Sequence, residues 1–598
     1  MTNRYLYRSI DGDDKHYSRF FRLLNKLKFI IIAILFLVFI ILLGSLIFRE
    51  NFTEKFNKEN ESSGLIIAKN GAVAAEVANC SQFGVDVLKE GGNAVDAAIT
   101  SMICVGTVNS FSAGIGGGGF MLIRLPNGSA EVIDFREVAP IKSNKYMLNP
   151  DNILPGLTIG VPGEIAGMKL AHERYGKLPW KRLFMPSINM GRNGFPVPTE
   201  LSIRLMLYKN RVLNNPILSS IYAPNDGKLL KEGETLYRTN YSITLEKIAN
   251  NYTEFYKGSI AKSLIKTIQD AGGIMILEDL ANYHPVVRKP IIGYYNGRKI
   301  ITTPEPASGA VLIFLLNLLE KYELHKNGLT GINLHRMVEA LKFGFARRTE
   351  IGDSAFFENK TEHNLRILEL ISKEYADIVR KNLTDDKTNN PNYYNPLYAE
   401  VNDHGTTHLS AIDNDDMAVS FTSTINGIWG SKVIDSNTGI ILNNQMDDFS
   451  RPGEPDFFGM FPSPHNFIKP GKKPLSSTIP TVIEKDGKLE LVIGGSGGTK
   501  IISAVLQVII NSLDFDMNLL LAVNNPRLHQ QLFPEHAFFE SGFSFKLIEN
   551  LLEIGHVIQM ANIHDRRFSA IVQAVRKFKN NTIHAASDFR KLGKAAGY

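Results

Sequence analysis

"HGTTHLSAIDNDDMAVSFTSTINGIWG" runs from His404 to Gly430 and holds two short alternating segments around an acidic turn. Residues 407–412 and 417–425 flank Asp413-Asn414-Asp415-Asp416, a hairpin signature. Alternation places Val419, Phe421 and Ile425 on one face and Thr422, Thr424 and Asn426 on the other. Pattern alone reads as an ordinary hairpin with a polar face. Thr406, Thr407, Thr422 and Thr424 leave open which threonine, if any, does chemistry.

Position favours Thr406. A threonine hydroxyl is a weak nucleophile without an adjacent base. A free α-amine on the same residue can serve, because its pKa lies near neutrality. Thr406 gains that amine only if the chain is cut after Gly405. The polar, proline-bearing stretch from Thr384 to Gly405 reads as a long exposed loop that suits such a cut. Gly405 gives the backbone access to the strained conformations a scissile bond needs.

Other segments read as follows. Residues 80–110 form two helices split by Gly91-Gly92, with Asn93 capping the second. "SAGIGGGGFMLIRL" (112–125) is a glycine loop leading into a strand, and its glycines suit close backbone packing. Helices alternate with strands through the middle of the chain. Further strands are expected at 439–442 and 488–493, and a helix at 499–513. "LVIGGSGGTK" (491–500) is a strand and glycine turn that aims N–H groups at an anion, but it lacks the Gly-Lys-Ser/Thr of a phosphate-binding loop. An oxyanion hole and a tightly packed helix start both fit it. "DFREVAP" (134–140), "NNQMDDFS" (443–450) and "KPLSS" (473–477) are each ordinary polar stretches when read alone.

The chain has 598 residues and a formal net charge of +6. Residues 1–28 carry seven Lys/Arg against three Asp, so the basic balance belongs mostly to that tail and gives no case for nucleic-acid binding. "FIIIAILFLVFIILLGSLIF" (29–48) has no charge and is long enough to span a bilayer as an uncleaved anchor. Positive charge on its N-terminal flank puts residues 1–28 in the cytoplasm and the rest outside, with 49–64 as a polar stalk. Sequons at Asn51, Asn60, Asn79, Asn127, Asn240, Asn251, Asn359, Asn382 and Asn580 all lie beyond the anchor. Cys80 and Cys104 are the only cysteines: either one disulfide or a pair of buried thiols.

Taken together, "GGNAVDAAI", "GIGGGGF", "DFREVAP", "GVPGEIAG", "GTTHLS", "TSTIN", "ILNNQMDDFS", "KPLSS", "GGSGGTK" and "AASDFRK…AAGY" occur in order over residues 65–598. In this the chain resembles a γ-glutamyltransferase (γ-glutamyl transpeptidase), and its anchor and stalk resemble the animal, type II plasma-membrane form. The resemblance implies an α+β fold, the four-layer αββα sandwich of N-terminal-nucleophile hydrolases. It implies self-cleavage between Gly405 and Thr406 into a heavy subunit (65–405 of the ectodomain) and a light subunit (406–598) that stay together. Thr406 is then the nucleophile, Thr424 orients it, and Gly497 and Gly498 form the oxyanion hole. Arg136, Ser476 and Ser477 would take the substrate α-carboxylate. Asp448, Gln445 and Asn426 would take its ammonium. The implied substrates are glutathione and γ-glutamyl conjugates, with amino acids, dipeptides or water as acceptors. No metal or cofactor is implied. The spacing of Cys80 and Cys104 matches one family disulfide. Two positions depart from the pattern: Phe111 stands where many members have His, and Gln445 where some animal members have Glu. Two other readings compete: an inactive ectodomain, and a γ-glutamyl hydrolase preferring leukotriene-like conjugates.

Overall fold

The hairpin is present, but it lies in the middle of a sheet. The computed structural model describes residues 64–148, 153–399, 405–456, 459–563 and 570–598. The expected tail, anchor and nearly all of the stalk, with Asn51 and Asn60, lie outside the described residues. Among the described residues no helix is long and apolar enough to cross a membrane.

The strands Thr407–Ile412 and Ala418–Thr424 pair antiparallel, with Thr407 opposite Ser423 and Ile412 opposite Ala418. They are the third and fourth strands of a seven-stranded sheet. Its order is 596–597, 72–74, 407–412, 418–424, 118–124, 130–134, 286–288. A second seven-stranded sheet has the order 66–68, 583–587, 571–577, 488–496, 481–485, 298–302, 291–295. All pairings in both are antiparallel.

The sheets face one another across an apolar seam that includes Phe120, Leu122, Ala418, Val482 and Val492. Val419, Phe421 and Ile425 point the other way, into a cluster shared with the helices Ala94–Val108, Glu164–Tyr175 and Trp180–Asn193. The second sheet is covered on its outer face by Gly309–Glu320, Gly331–Arg348 and Lys500–Leu513. Helix, sheet, sheet, helix is the expected order of layers.

The polar face of the hairpin therefore meets the opposite sheet, and its groups find partners there, as buried polar groups must. Ser420 Oγ donates to Ile493 O at 2.9 Å. The His408 ring bridges Thr422 Oγ1 at 2.8 Å and Ser410 Oγ at 3.1 Å. Burial pushes His408 down to about 3, so it is neutral.

Local readings hold where the signal is local. Asn93 caps Ala94–Val108 in a capping box with Asp96. The glycine run packs as expected: a Cβ on Gly117 would lie 2.0 Å from Thr424 O, and one on Gly119 would lie 2.0 Å from Thr422 O. Cys80 and Cys104 form a disulfide with Cα atoms 5.3 Å apart, joining the helices Ala78–Lys89 and Ala94–Val108 and removing the free-thiol alternative. The exposed asparagines include Asn79, Asn127, Asn240, Asn251, Asn359, Asn382 and Asn580.

One expectation fails and two hold in part. Residues 439–442 form only an isolated bridge, Ile434 to Ile441, because that segment turns back on itself. The middle of the chain does alternate, but unevenly: Phe195–Pro196 and Thr235–Leu236 have two residues each among several helices, and the strands Val286–Arg288, Ile291–Tyr295 and Arg298–Thr302 follow. The stretch from Thr384 is not simply exposed: Tyr394 is buried and donates to Glu339 Oε2 at 2.6 Å.

A Cβ on Gly494 would lie 2.3 Å from the His408 ring. Gly494→Ala should therefore destabilise the fold by about 1–3 kcal/mol. Thermal unfolding of Gly494→Ala, His408→Ala and the double variant checks this. The expected outcome is a double-variant loss smaller than the sum of the single losses.

Candidate active site

Thr406 immediately precedes the strand Thr407–Ile412 and is 4% exposed. Its carbonyl accepts from Lys591 Nζ at 2.9 Å. Lys591 also pairs with both Glu76 oxygens at 2.9 Å, and Ser496 Oγ donates to Glu76 Oε1 at 2.7 Å. Lys591 thus holds the Thr406 carbonyl, and Glu76 holds Lys591 in turn. The Gly497 N–H donates to Thr406 Oγ1 at 3.2 Å. Gly497 and Gly498 have φ of +127° and +65°, which other residues rarely adopt, and this lets the turn present its N–H there. Thr407 points away: it is fully buried, and its hydroxyl has no partner.

Thr424 ends the second hairpin strand. Its hydroxyl donates to Gly405 O at 2.6 Å and accepts from Asn426 N at 2.7 Å. In the continuous chain Thr424 thus holds the carbonyl of the residue before Thr406. Asn426 (φ +66°) turns the chain so that its Nδ2 donates to Asp448 Oδ1 at 2.8 Å. Asp448 Oδ2 accepts from Arg136 Nη2 at 2.7 Å and also from Gln445 Nε2. Arg136 lies just past the strand Ala130–Asp134 and reaches Leu475 O at 3.0 Å. Leu475 leads directly into Ser476 and Ser477. Ser476 Oγ lies 3.1 Å from Thr478 Oγ1, and Ser477 Oγ accepts from Arg348 Nη2 at 2.8 Å.

A hydrogen-bonded path thus runs from Gly405 through Thr424, Asn426, Asp448 and Arg136 to Leu475 O, and Ser476 and Ser477 follow Leu475 in the chain. Its chemistry suits a zwitterion. Arg136 supplies a cation and the serines supply hydroxyls. Asp448 supplies a buried carboxylate. Gln445 Oε1 is buried and unpartnered, so it too can accept from an ammonium.

Several residues of this region escaped the sequence reading. Lys591, Glu76, Ser496 and Arg348 support site residues from behind. A lone acid within "AVAAEVA" (72–78) was the available signal for Glu76. Glu137, next to Arg136, is fully buried, neither oxygen has a partner among the described residues, and burial raises it to about 7 despite the Arg136 charge. Among the described residues one cluster has metal-ligating residue types: His335, Glu339 and His556. Its donor atoms are already engaged. The two imidazoles bond each other at 2.7 Å, and Glu339 pairs with Lys342, Thr388 and Tyr394.

Two facing antiparallel sheets between helical layers, with a buried threonine at the head of a central strand, define a sandwich of the N-terminal-nucleophile hydrolase class. The chain belongs to the gamma-glutamyltranspeptidase family, whose profile matches residues 80–598. It is 44% identical over 565 residues to glutathione hydrolase proenzyme 1 of Schizosaccharomyces pombe, covering 92% of this chain and 88% of that one. It is 37% identical to the glutathione hydrolase proenzyme of Escherichia coli, covering 89% and 92%. Among solved structures, a cephalosporin acylase from Bacillus halodurans superposes with a TM-score of 0.77 at 25% identity, covering 89% of this chain and 97% of that one.

Glu137 gives a pH test. Its folded pKa of about 7 lies above the ordinary 4.5, so the fold binds that proton more tightly than the unfolded chain does. Its contribution is intact below 4.5 and is lost as pH rises through 7. Glu137→Gln should flatten the stability profile over that window, leaving the variant more stable above pH 7 by about 1–3 kcal/mol. Thermal unfolding at pH 5 and pH 8 measures it.

Proposed function

We propose that this chain is a proenzyme that cuts itself between Gly405 and Thr406 and then cleaves the γ-glutamyl bond of glutathione and its conjugates. The γ-glutamyl group passes through an ester on Thr406 to an amino acid, a dipeptide or water. The observation that carries this reading is the continuous path from Gly405 through Thr424, Asn426 and Asp448 to Arg136. It links a candidate nucleophile to a site for a free α-amino acid. The names of two relatives, glutathione hydrolase proenzymes, agree with both halves of the proposal.

Self-cleavage follows from the contacts. The Thr424 hydroxyl polarises the Gly405 carbonyl. Thr406 Oγ attacks that carbon, the C–N bond breaks, and the acyl group moves from nitrogen to oxygen. Water hydrolyses the ester, leaving residues 1–405 and 406–598 with a new amine on Thr406. In turnover that amine takes the hydroxyl proton as Oγ attacks the γ-carbonyl. The Gly497 and Gly498 amides receive the oxyanion, and the amine returns the proton to the departing amino group. Arg136, Ser476 and Ser477 hold the α-carboxylate. Asp448, Gln445 and Asn426 hold the ammonium, so the γ-carbonyl is presented to Thr406 in one orientation. Residues 29–48 anchor the enzyme as an animal-type, type II plasma-membrane protein with the catalytic region outside.

Thr406→Ala should leave a single band on a denaturing gel and no γ-glutamyl-anilide turnover, with or without glycylglycine. Turnover by that variant would refute the nucleophile assignment. Thr424→Val should slow the appearance of the two fragments by about 10²–10³-fold, the usual cost of removing one donor to a developing oxyanion.

A further inference from the structure

The loop behind the donor pocket has a second side. Asn466 braces the pocket: its Nδ2 donates to Asp448 O at 2.7 Å, and its Oδ1 accepts from Leu475 N at 3.0 Å. The adjacent His465 lines a cavity of about 940 Å³ on the outer side. That is within the range of about 300–1,000 Å³ typical of ligand sites.

The lining mixes flat apolar surface with hydrogen-bonding groups. Phe357 is stacked between His363 and His465, with ring centroids 3.6 and 4.6 Å away. Leu365 lines the same cavity and is 62% exposed. His363 is only 6% exposed, yet among the described residues its Nε2 has no partner. Burial and the neighbouring His465 push it down to about 4, so it is neutral and can donate or accept. Glu358 and Glu362 add acceptors. The other lining acids, Glu350 and Glu369, are already paired with Arg366, which argues against an organic cation as the occupant. A wholly aliphatic ligand would cover the exposed polar groups of Glu358 and Asn359 without bonding them. Sugar rings, with C–H faces and many hydroxyls, suit both kinds of surface.

One source of sugar is built into the lining. Asn359 is exposed, lies on the cavity wall, and begins the sequon Asn359-Lys360-Thr361. We propose that the cavity is a cradle for the first sugars of a glycan carried by Asn359 of this same chain. The proposal rests on the reading that the ectodomain is exported. In the attachment, Nδ2 loses one proton and bonds the anomeric carbon of an oligosaccharide, displacing the pyrophosphate of its lipid-linked donor. The remaining Nδ2 hydrogen can keep its contact with Glu362 Oε2, now 3.1 Å, and Oδ1 can go on capping the helix at Glu362 N. A glycan seated there stiffens the loop that braces Asp448.

The test uses the full chain from a secreting eukaryotic host. Glycopeptide mass spectrometry reads occupancy at Asn359, Asn127 and Asn580; the last two lie in exposed turns. Release of each glycan by peptide N-glycosidase from the native protein is then timed. The expected result is an occupied Asn359 whose glycan leaves roughly tenfold more slowly than the others, the factor that about 1.4 kcal/mol of docking confers. Leu365→Asp, which keeps the sequon and alters an exposed residue, should bring the rates together. An empty Asn359 beside an occupied Asn127 or Asn580 overturns the proposal alone. So does equal release from the unaltered chain, or protection unchanged by Leu365→Asp. If no sequon carries sugar, the exported reading falls with it.

Discussion

The Lys591 ammonium, held between Glu76 and the Thr406 carbonyl, ties the site together. Charges buried this deeply cost desolvation energy and persist only when well partnered; removing one partner typically costs about 3–5 kcal/mol. The contact gathers segments some 500 residues apart in sequence, since Glu76 and Lys591 are separated by 515 positions. It places Thr406 at the head of its strand and next to the Gly497 turn through Ser496. Neither the nucleophile nor the anion-binding turn is positioned by local structure alone.

The same long-range logic governs the sheets. Strand 72–74 pairs with 407–412, and 118–124 pairs with 418–424. In the other sheet, 298–302 pairs with 481–485. Strands from either side of Gly405 therefore share continuous ladders and one apolar seam. On the proposed reading, cutting one peptide bond at Gly405 leaves all of this pairing in place. The two pieces remain joined by the contacts that fold the uncut chain.

This explains what could be read from sequence. The hairpin, the Asn93 cap and the glycine run are local signals, and the structure bears them out. Period-two alternation correctly put Thr422 and Thr424 on one face, while Asn426 lies past the strand where the chain turns. It could not say that this face looks at a second sheet, because polar residues facing a satisfied interior look the same as polar residues facing water. Strands of two or three residues, such as Ala72–Ala74, carry too few positions to show any period. Glu76, Lys591 and Arg348 stayed invisible because each matters only through a partner far along the chain. Arg136, Asp448, Ser476 and Ser477 were found through the family resemblance; the structure pairs Arg136 with Asp448 and brings Arg136 to the carbonyl of Leu475, the residue before Ser476.

The geometry of the uncut chain also suggests why it should be silent toward substrate. The nitrogen of Thr406 belongs to a peptide bond, so its lone pair is delocalised into the carbonyl and cannot serve as a base. The Thr424 hydroxyl is committed to Gly405 O, and the Gly497 N–H is committed to Thr406 Oγ1. On the proposed reading, hydrolysis of that one bond changes all three. It creates the amine, frees Thr424 to act on the residue it sits beside, and lets the Gly497 amide turn from the nucleophile to the oxyanion. Nothing in the sheets has to move for this to happen, so a rigid interior can hold both states and the covalent event itself becomes the switch.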